Sequence, residues 1–115
     1  MAGSEPQMII PRYKMIMLYD IQPGRREMYY EFILGEFVPA LQEMGIYIAE
    51  AWQTAHGDHP DRMASFVAED YVTIDDAINS RRWVDLDERF RRYVTNYTLK
   101  VVPYRPGFQF ITQNN

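Results

Sequence analysis

The chain of 115 residues has no cysteine. Disulfides, thiolate nucleophiles, Cys-ligated zinc and iron–sulfur clusters are therefore excluded, and a reducing compartment suits it. Long apolar runs are lacking too: none approaches the ~20 residues that a bilayer-spanning helix needs. The opening Met-Ala-Gly-Ser-Glu-Pro does not follow the charged-then-apolar order of a secretory signal, so the expectation is a cytoplasmic protein with no membrane role. Clustered positive charge is scarce. The net charge is −4, and the basic residues are scattered apart from Arg81-Arg82 and Arg89, Arg91 and Arg92, which gives nucleic acid little to bind. There is no glycine-rich phosphate loop, serine-centred elbow or helical metal-ligand motif, and no cofactor is expected.

What is present is a globular composition, 47% hydrophobic and 15% aromatic with nine tyrosines. Tyrosine joins an apolar body to a polar tip, which suits pockets and interfaces. The segment Tyr13–Ile21 has the character of a strand with two apolar faces, Tyr13, Met15, Met17 and Tyr19 on one and Ile16 and Leu18 on the other, between Lys14 and Asp20. A strand apolar on both sides needs cover on both. The helical segments suffice for one side, so the expected cover for the other is a second copy of the chain.

The remaining elements follow in order. Residues 1–12 form a lead-in, 13–105 a single domain, and 106–115 a tail whose Phe108, Phe110 and Ile111 are expected to dock on a partner subunit. After the Gln22-Pro23-Gly24 turn, a helix is predicted over 25–44 from the stripe Tyr29, Phe32, Ile33, Phe37, Leu41 and Met44, kinked near Gly35 by Pro39 and stopped by Gly45. Strands are predicted over 46–55 and 62–72, joined as an antiparallel hairpin by the polar turn at 56–61. Strict alternation puts Ile46, Ile48, Glu50 and Trp52 on one face of the second strand. A helix in two pieces follows, the first capped by Thr73 and the second by Asp85. A last strand, 97–104, carries Pro103, a residue suited to a sheet edge. The order β-α-β-β-α-β closes naturally as a ferredoxin-like α+β fold, an antiparallel sheet with helices on one face.

Several of these features resemble the dimeric α/β-barrel superfamily and, within it, the NIPSNAP-like family, over roughly residues 15–104. They are the proline-broken helix ending Phe37-Val38-Pro39-Ala40-Leu41-Gln42-Glu43-Met44-Gly45, the strand Ala51-Trp52-Gln53-Thr54 before Gly57-Asp58, Tyr71 ahead of a short helix, and the longer helix after it. Glu50 and Ala51 stand where that family usually has a glycine before the tryptophan. The resemblance implies two sheets packed face to face in a homodimer. It also implies one of two functions. The first is a NIPSNAP-like protein without established chemistry that binds a small apolar or aromatic ligand. The second is a cofactor-free monooxygenase or polyketide-cyclase-like enzyme.

The candidate pocket residues are Tyr19, Tyr29, Glu50, Trp52, Glu69 and Tyr71. If strand pairing brings Glu50 and Glu69 together, two carboxylates enter an aromatic space and one is held protonated; otherwise they face solvent or pair with arginines. The aromatics either line a cavity for a flat ligand or are ordinary packing. His56 and His59, three apart in one turn, lack a third ligand nearby, so solvated turn residues are expected there and no metal. Arg81-Arg82-Trp83 either closes over an anion or bridges to Asp85, Asp87 or Glu88.

Overall fold

The structure, a computed structural model, describes residues 9–53 and 62–104. The turn histidines His56 and His59 and the tail residues Phe108, Phe110 and Ile111 lie outside the described residues. Four strands, β1 (Tyr13–Ile21), β2 (Tyr47–Gln53), β3 (Arg62–Ala68) and β4 (Val94–Pro103), form one antiparallel sheet in the order β2-β3-β1-β4. With its helices on one face this is the ferredoxin-like α+β fold. The edge position of β4 accommodates Pro103, which pairs with Tyr13.

The alternation in β1 sorts its side chains as its sequence suggests. Met15, Met17 and Tyr19 are buried under the helices with Phe66 and Ala64 of β3. Ile16 and Leu18 face the opposite side with Met63, Val67 and Val102. In β2 strict alternation fails. The register against β3 shifts between Ile48 and Glu50, so Ala49 is an extra residue. Ile48, paired with Phe66, and Ala51, paired with Ala64, look toward the helices; Glu50, paired with Ser65, and Trp52, paired with Met63, look away. A bulge inverts every side chain beyond it, which separates Ile48 from the face expected to hold it with Glu50 and Trp52.

The first helical segment is interrupted by a π-helical turn at Ile33–Phe37, where the sequence predicts a kink. It runs as α1 (Arg26–Phe32), a π-helical turn (Ile33–Phe37) and α2 (Val38–Glu43). The Val38 N–H donates to the Ile33 carbonyl, five residues back, in place of the usual four. Pro39 has no N–H and its ring crowds the carbonyl of Gly35; a widened turn relieves that crowding. Gly45 ends the segment at φ +87°, and Ile46 N–H then donates to the Leu41 carbonyl at 2.9 Å.

The caps of the second helical region sit earlier than the sequence suggests. Asp70 caps α3 (Tyr71–Ile78), accepting from the Thr73 N–H at 2.9 Å and the Thr73 hydroxyl at 2.7 Å. These two bonds hold the Asp70 carboxyl below its ordinary range. β3 therefore stops at Ala68, and Tyr71 opens a helix. Ser80 caps α4 (Arg81–Phe90) through the Trp83 N–H at 3.1 Å, so Asp85 lies inside the helix. Arg81 and Arg82 occupy its first turn, and Arg82 pairs with Glu43 at 2.8 Å. The C-terminal piece ends at Phe90, and Asn96 turns the chain at φ 54° within β4.

Ser80→Ala is expected to cost about 1 kcal/mol by leaving the first turn of α4 uncapped. Thermal unfolding should show a fall of roughly 4–8 °C. No fall would mean that the cap is redundant.

Candidate functional site

The helix-facing side of the sheet is hollow where two small side chains meet. Ala51 and Ala64 pair across β2 and β3, and the π-helical turn passes over them. The result is a cavity of about 150 Å³, bounded by Met17 and Phe66 from the sheet and by Ile33, Phe37 and Val38 from the widened turn. Leu34, 68% exposed, and Ile48 stand at its mouth. A largely apolar space of this size takes one benzene-sized ring.

One end of the cavity is polar. Tyr19, near the end of β1, lies opposite Arg62 at the start of β3. Tyr29 and Tyr30 come from α1. The Tyr19 and Tyr29 hydroxyls share a short hydrogen bond. Arg62 Nη2 donates to the Tyr30 hydroxyl and to Gln53 Oε1, the latter at 3.1 Å. The guanidinium carbon lies 5.3 Å from the centre of the Tyr30 ring and 5.8 Å from that of Tyr29, within range of cation–π attraction. Arg62 Nε is buried and has no hydrogen-bond partner among the described residues.

Burial, reinforced by the neighbouring Tyr29, pushes the Tyr19 hydroxyl far above its ordinary range, and burial likewise raises Tyr29. Both are therefore neutral at physiological pH. One hydroxyl donates to the other, which leaves a single O–H for a third group. The Tyr30 hydroxyl, as an acceptor from Arg62, keeps its own hydrogen to donate. The polar end is thus rich in donors, and the described residues around the cavity include no carboxylate.

Of the candidates from sequence, Tyr19 and Tyr29 line this cavity. Glu50 and Trp52 lie on the opposite side of the sheet, where Trp52 is 57% exposed. Glu50 faces Ser65, accepting from its hydroxyl at 3.3 Å, and Lys14 Nζ approaches to 3.8 Å. Glu69 follows the end of β3 and is exposed, so the two glutamates are not opposed and form no acid–base pair. Tyr71 is half-exposed, edge-on to Tyr13 with ring centres 5.7 Å apart. Tyr30, Arg62 and Gln53 were not among the candidates. The available signal was a cation in the inward series Arg62, Ala64, Phe66, Ala68, otherwise wholly apolar. Among the described residues, no group of three His, Asp or Glu is placed to hold a metal ion, and no helix is long and apolar enough to cross a membrane.

No protein-family model matches the sequence, and no curated protein matches it. The fold, by contrast, is shared with solved structures. A NIPSNAP domain protein from Burkholderia xenovorans superposes with a TM-score of 0.61 at 11% identity, over 83% of this chain and 96% of that one. A NIPSNAP family protein from Agrobacterium tumefaciens gives 0.62 at 9% identity, over 90% and 94%. A protein of unknown function from Bacteroides thetaiotaomicron, described as a possible oxidoreductase, gives 0.62 at 8% identity, over 82% and 98%. The chain has a NIPSNAP-like fold.

Proposed function

We propose that the protein is a homodimer in which each subunit binds one small, largely apolar or aromatic molecule beneath the π-helical turn. The observation that carries the binding reading is the cavity itself, apolar along its length and closed at one end by tyrosine hydroxyls and Arg62. The dimer reading rests on the other face of the sheet. Ile16, Leu18, Met63, Val67 and Val102 are only half-buried there, beside the exposed Trp52. These apolar side chains are interspersed with Lys14, Glu50 and Lys100, and a face with this much part-exposed apolar surface is the kind that association covers.

A second reading is cofactor-free oxygenation or cyclisation of the bound molecule. It is favoured by the description of the Bacteroides neighbour. Binding alone is the stronger reading, because the described residues lining the cavity offer no proton acceptor at neutral pH: Tyr19 and Tyr29 are held neutral, and no carboxylate or imidazole accompanies them.

Light scattering should return twice the mass of one chain. Toluene, benzamide and benzoate serve as ring-sized probes in thermal unfolding. At least one is expected to raise the melting temperature, because a ligand that binds the folded state alone must do so. Leu34→Trp, a change at an exposed position that closes the mouth, should abolish the rise while leaving the unliganded protein folded. A single-chain mass refutes the dimer; no rise with any of the three probes refutes the binding site.

A further inference from the structure

We propose that the polar end of the cavity is a carboxylate receptor, so that the ligand is a small monocarboxylic acid with an aromatic or branched apolar body. This rests on the binding reading above and narrows it to a class of molecule.

Four observations lead to it. Arg62 carries the only charge among the described residues that line the cavity. Its Nη2 bonds go to neutral oxygens, those of Tyr30 and Gln53, and no carboxylate of the described residues forms an ion pair with it. Its Nε–H is buried with no hydrogen-bond partner among the described residues, so the guanidinium is incompletely satisfied by them. The Tyr30 hydroxyl accepts from Arg62, which leaves its own hydrogen to donate to another acceptor. A buried donor without an acceptor is costly, and a cation in apolar surroundings attracts an anion more strongly than it does in water.

A carboxylate satisfies this arrangement. Nε itself is enclosed, so one oxygen accepts from an Nη–H of Arg62; the other accepts from a phenol hydroxyl, either that of Tyr30 or the spare O–H of the Tyr19–Tyr29 pair. Charge-assisted bonds of this type are stronger than neutral ones. The two rings over the guanidinium, with Gln53, hold the arginine in place before any ligand arrives, so little side-chain freedom is lost on binding. Phosphate esters fit less well. A dianion would meet one positive charge, in a space suited to a single ring.

Benzoate and benzamide have nearly the same shape and differ in charge, so comparing them on the unaltered protein isolates the anion. Isothermal titration should show benzoate binding about tenfold tighter or more. Arg62→Gln should bring the two ligands to comparable affinity, and Arg62→Lys, which keeps the charge but loses the fork, should lie between. If both ligands bind equally, or benzamide binds more tightly, the receptor is refuted while the cavity stands. If Arg62→Gln folds and keeps the preference for benzoate, Arg62 is not its source and the assignment is refuted. If toluene, benzamide and benzoate all fail to bind, the binding reading falls and the receptor with it.

Discussion

Met17→Lys is expected to abolish folding, whereas Leu18→Lys is expected to leave the chain folded and, on the proposed dimer, to return a single-chain mass. The two positions are adjacent in β1 and differ only in the face they occupy. Met17 is 1% exposed, set between Ala64 and Leu99 on neighbouring strands and roofed by the helices. A lysine ammonium there cannot reach water, and the effective penalty for an unpaired buried charge is several kcal/mol. A domain of this size has only about 5–15 kcal/mol of stability to lose. Leu18 lies between Met63 and Thr98 on the outer face, where it is half-buried within the single chain. Lysine at that position extends its stem along the sheet and keeps its charge in water, which the isolated subunit tolerates. Against a second sheet the same charge has no solvent. Circular dichroism and light scattering on the two variants separate the cases. A Leu18→Lys protein that keeps the native mass would remove this face from the interface, and a Met17→Lys protein with unchanged unfolding would refute its burial.

The contrast between these neighbours was legible in the sequence, because the two-residue period of a strand sorts side chains without knowledge of the fold. The same period misled at β2. Nothing in Ile-Ala-Glu-Ala-Trp marks Ala49 as an extra residue, since a bulge is set by how two strands meet and not by one of them. That one residue moved Glu50 and Trp52 away from the cavity that sequence reasoning assigned to them. The cap of α3 was missed for a related reason. Tyr71, Val72 and Thr73 favour a strand by composition, yet Asp70 draws the Thr73 N–H and hydroxyl into a local turn that begins a helix.

The candidate site was half legible. Tyr19 and Tyr29 could be placed from periodicity, since each sits on an inward stripe of its element. The cavity they border could not, because it arises from two alanines on different strands and from a helical turn widened at Pro39. Arg62 was within reach of sequence analysis: an inward-facing cation in an apolar series is expensive unless it has a partner, and that expense is itself a sign of function.

The aromatic cluster behind the cavity leads to the other large effect, the response to Phe90→Ala. Phe90, 0% exposed, closes α4. Its ring centre lies 4.9 Å from Tyr19, 5.4 Å from Phe37 and 4.9 Å from Tyr97, with edge-on contacts to both tyrosines and a stacked contact to Phe37. It thus joins β1, β4 and the π-helical turn to the second helical region. Truncation to alanine is expected to cost about 3–5 kcal/mol, the range for a phenylalanine whose site collapses only in part. At roughly 4–8 °C per kcal/mol, the melting temperature should fall by more than about 12 °C. Because Phe90 also lines the existing cavity, the space it vacates joins that cavity instead of forming a separate void. The variant should therefore regain more stability from toluene than the native protein does, through linkage between folding and binding. Urea unfolding with and without toluene measures both quantities. A loss below about 1 kcal/mol would mean that the surroundings close over the gap. A large loss with no added response to toluene would mean that Phe90 packs apart from the cavity, contrary to its position in the fold.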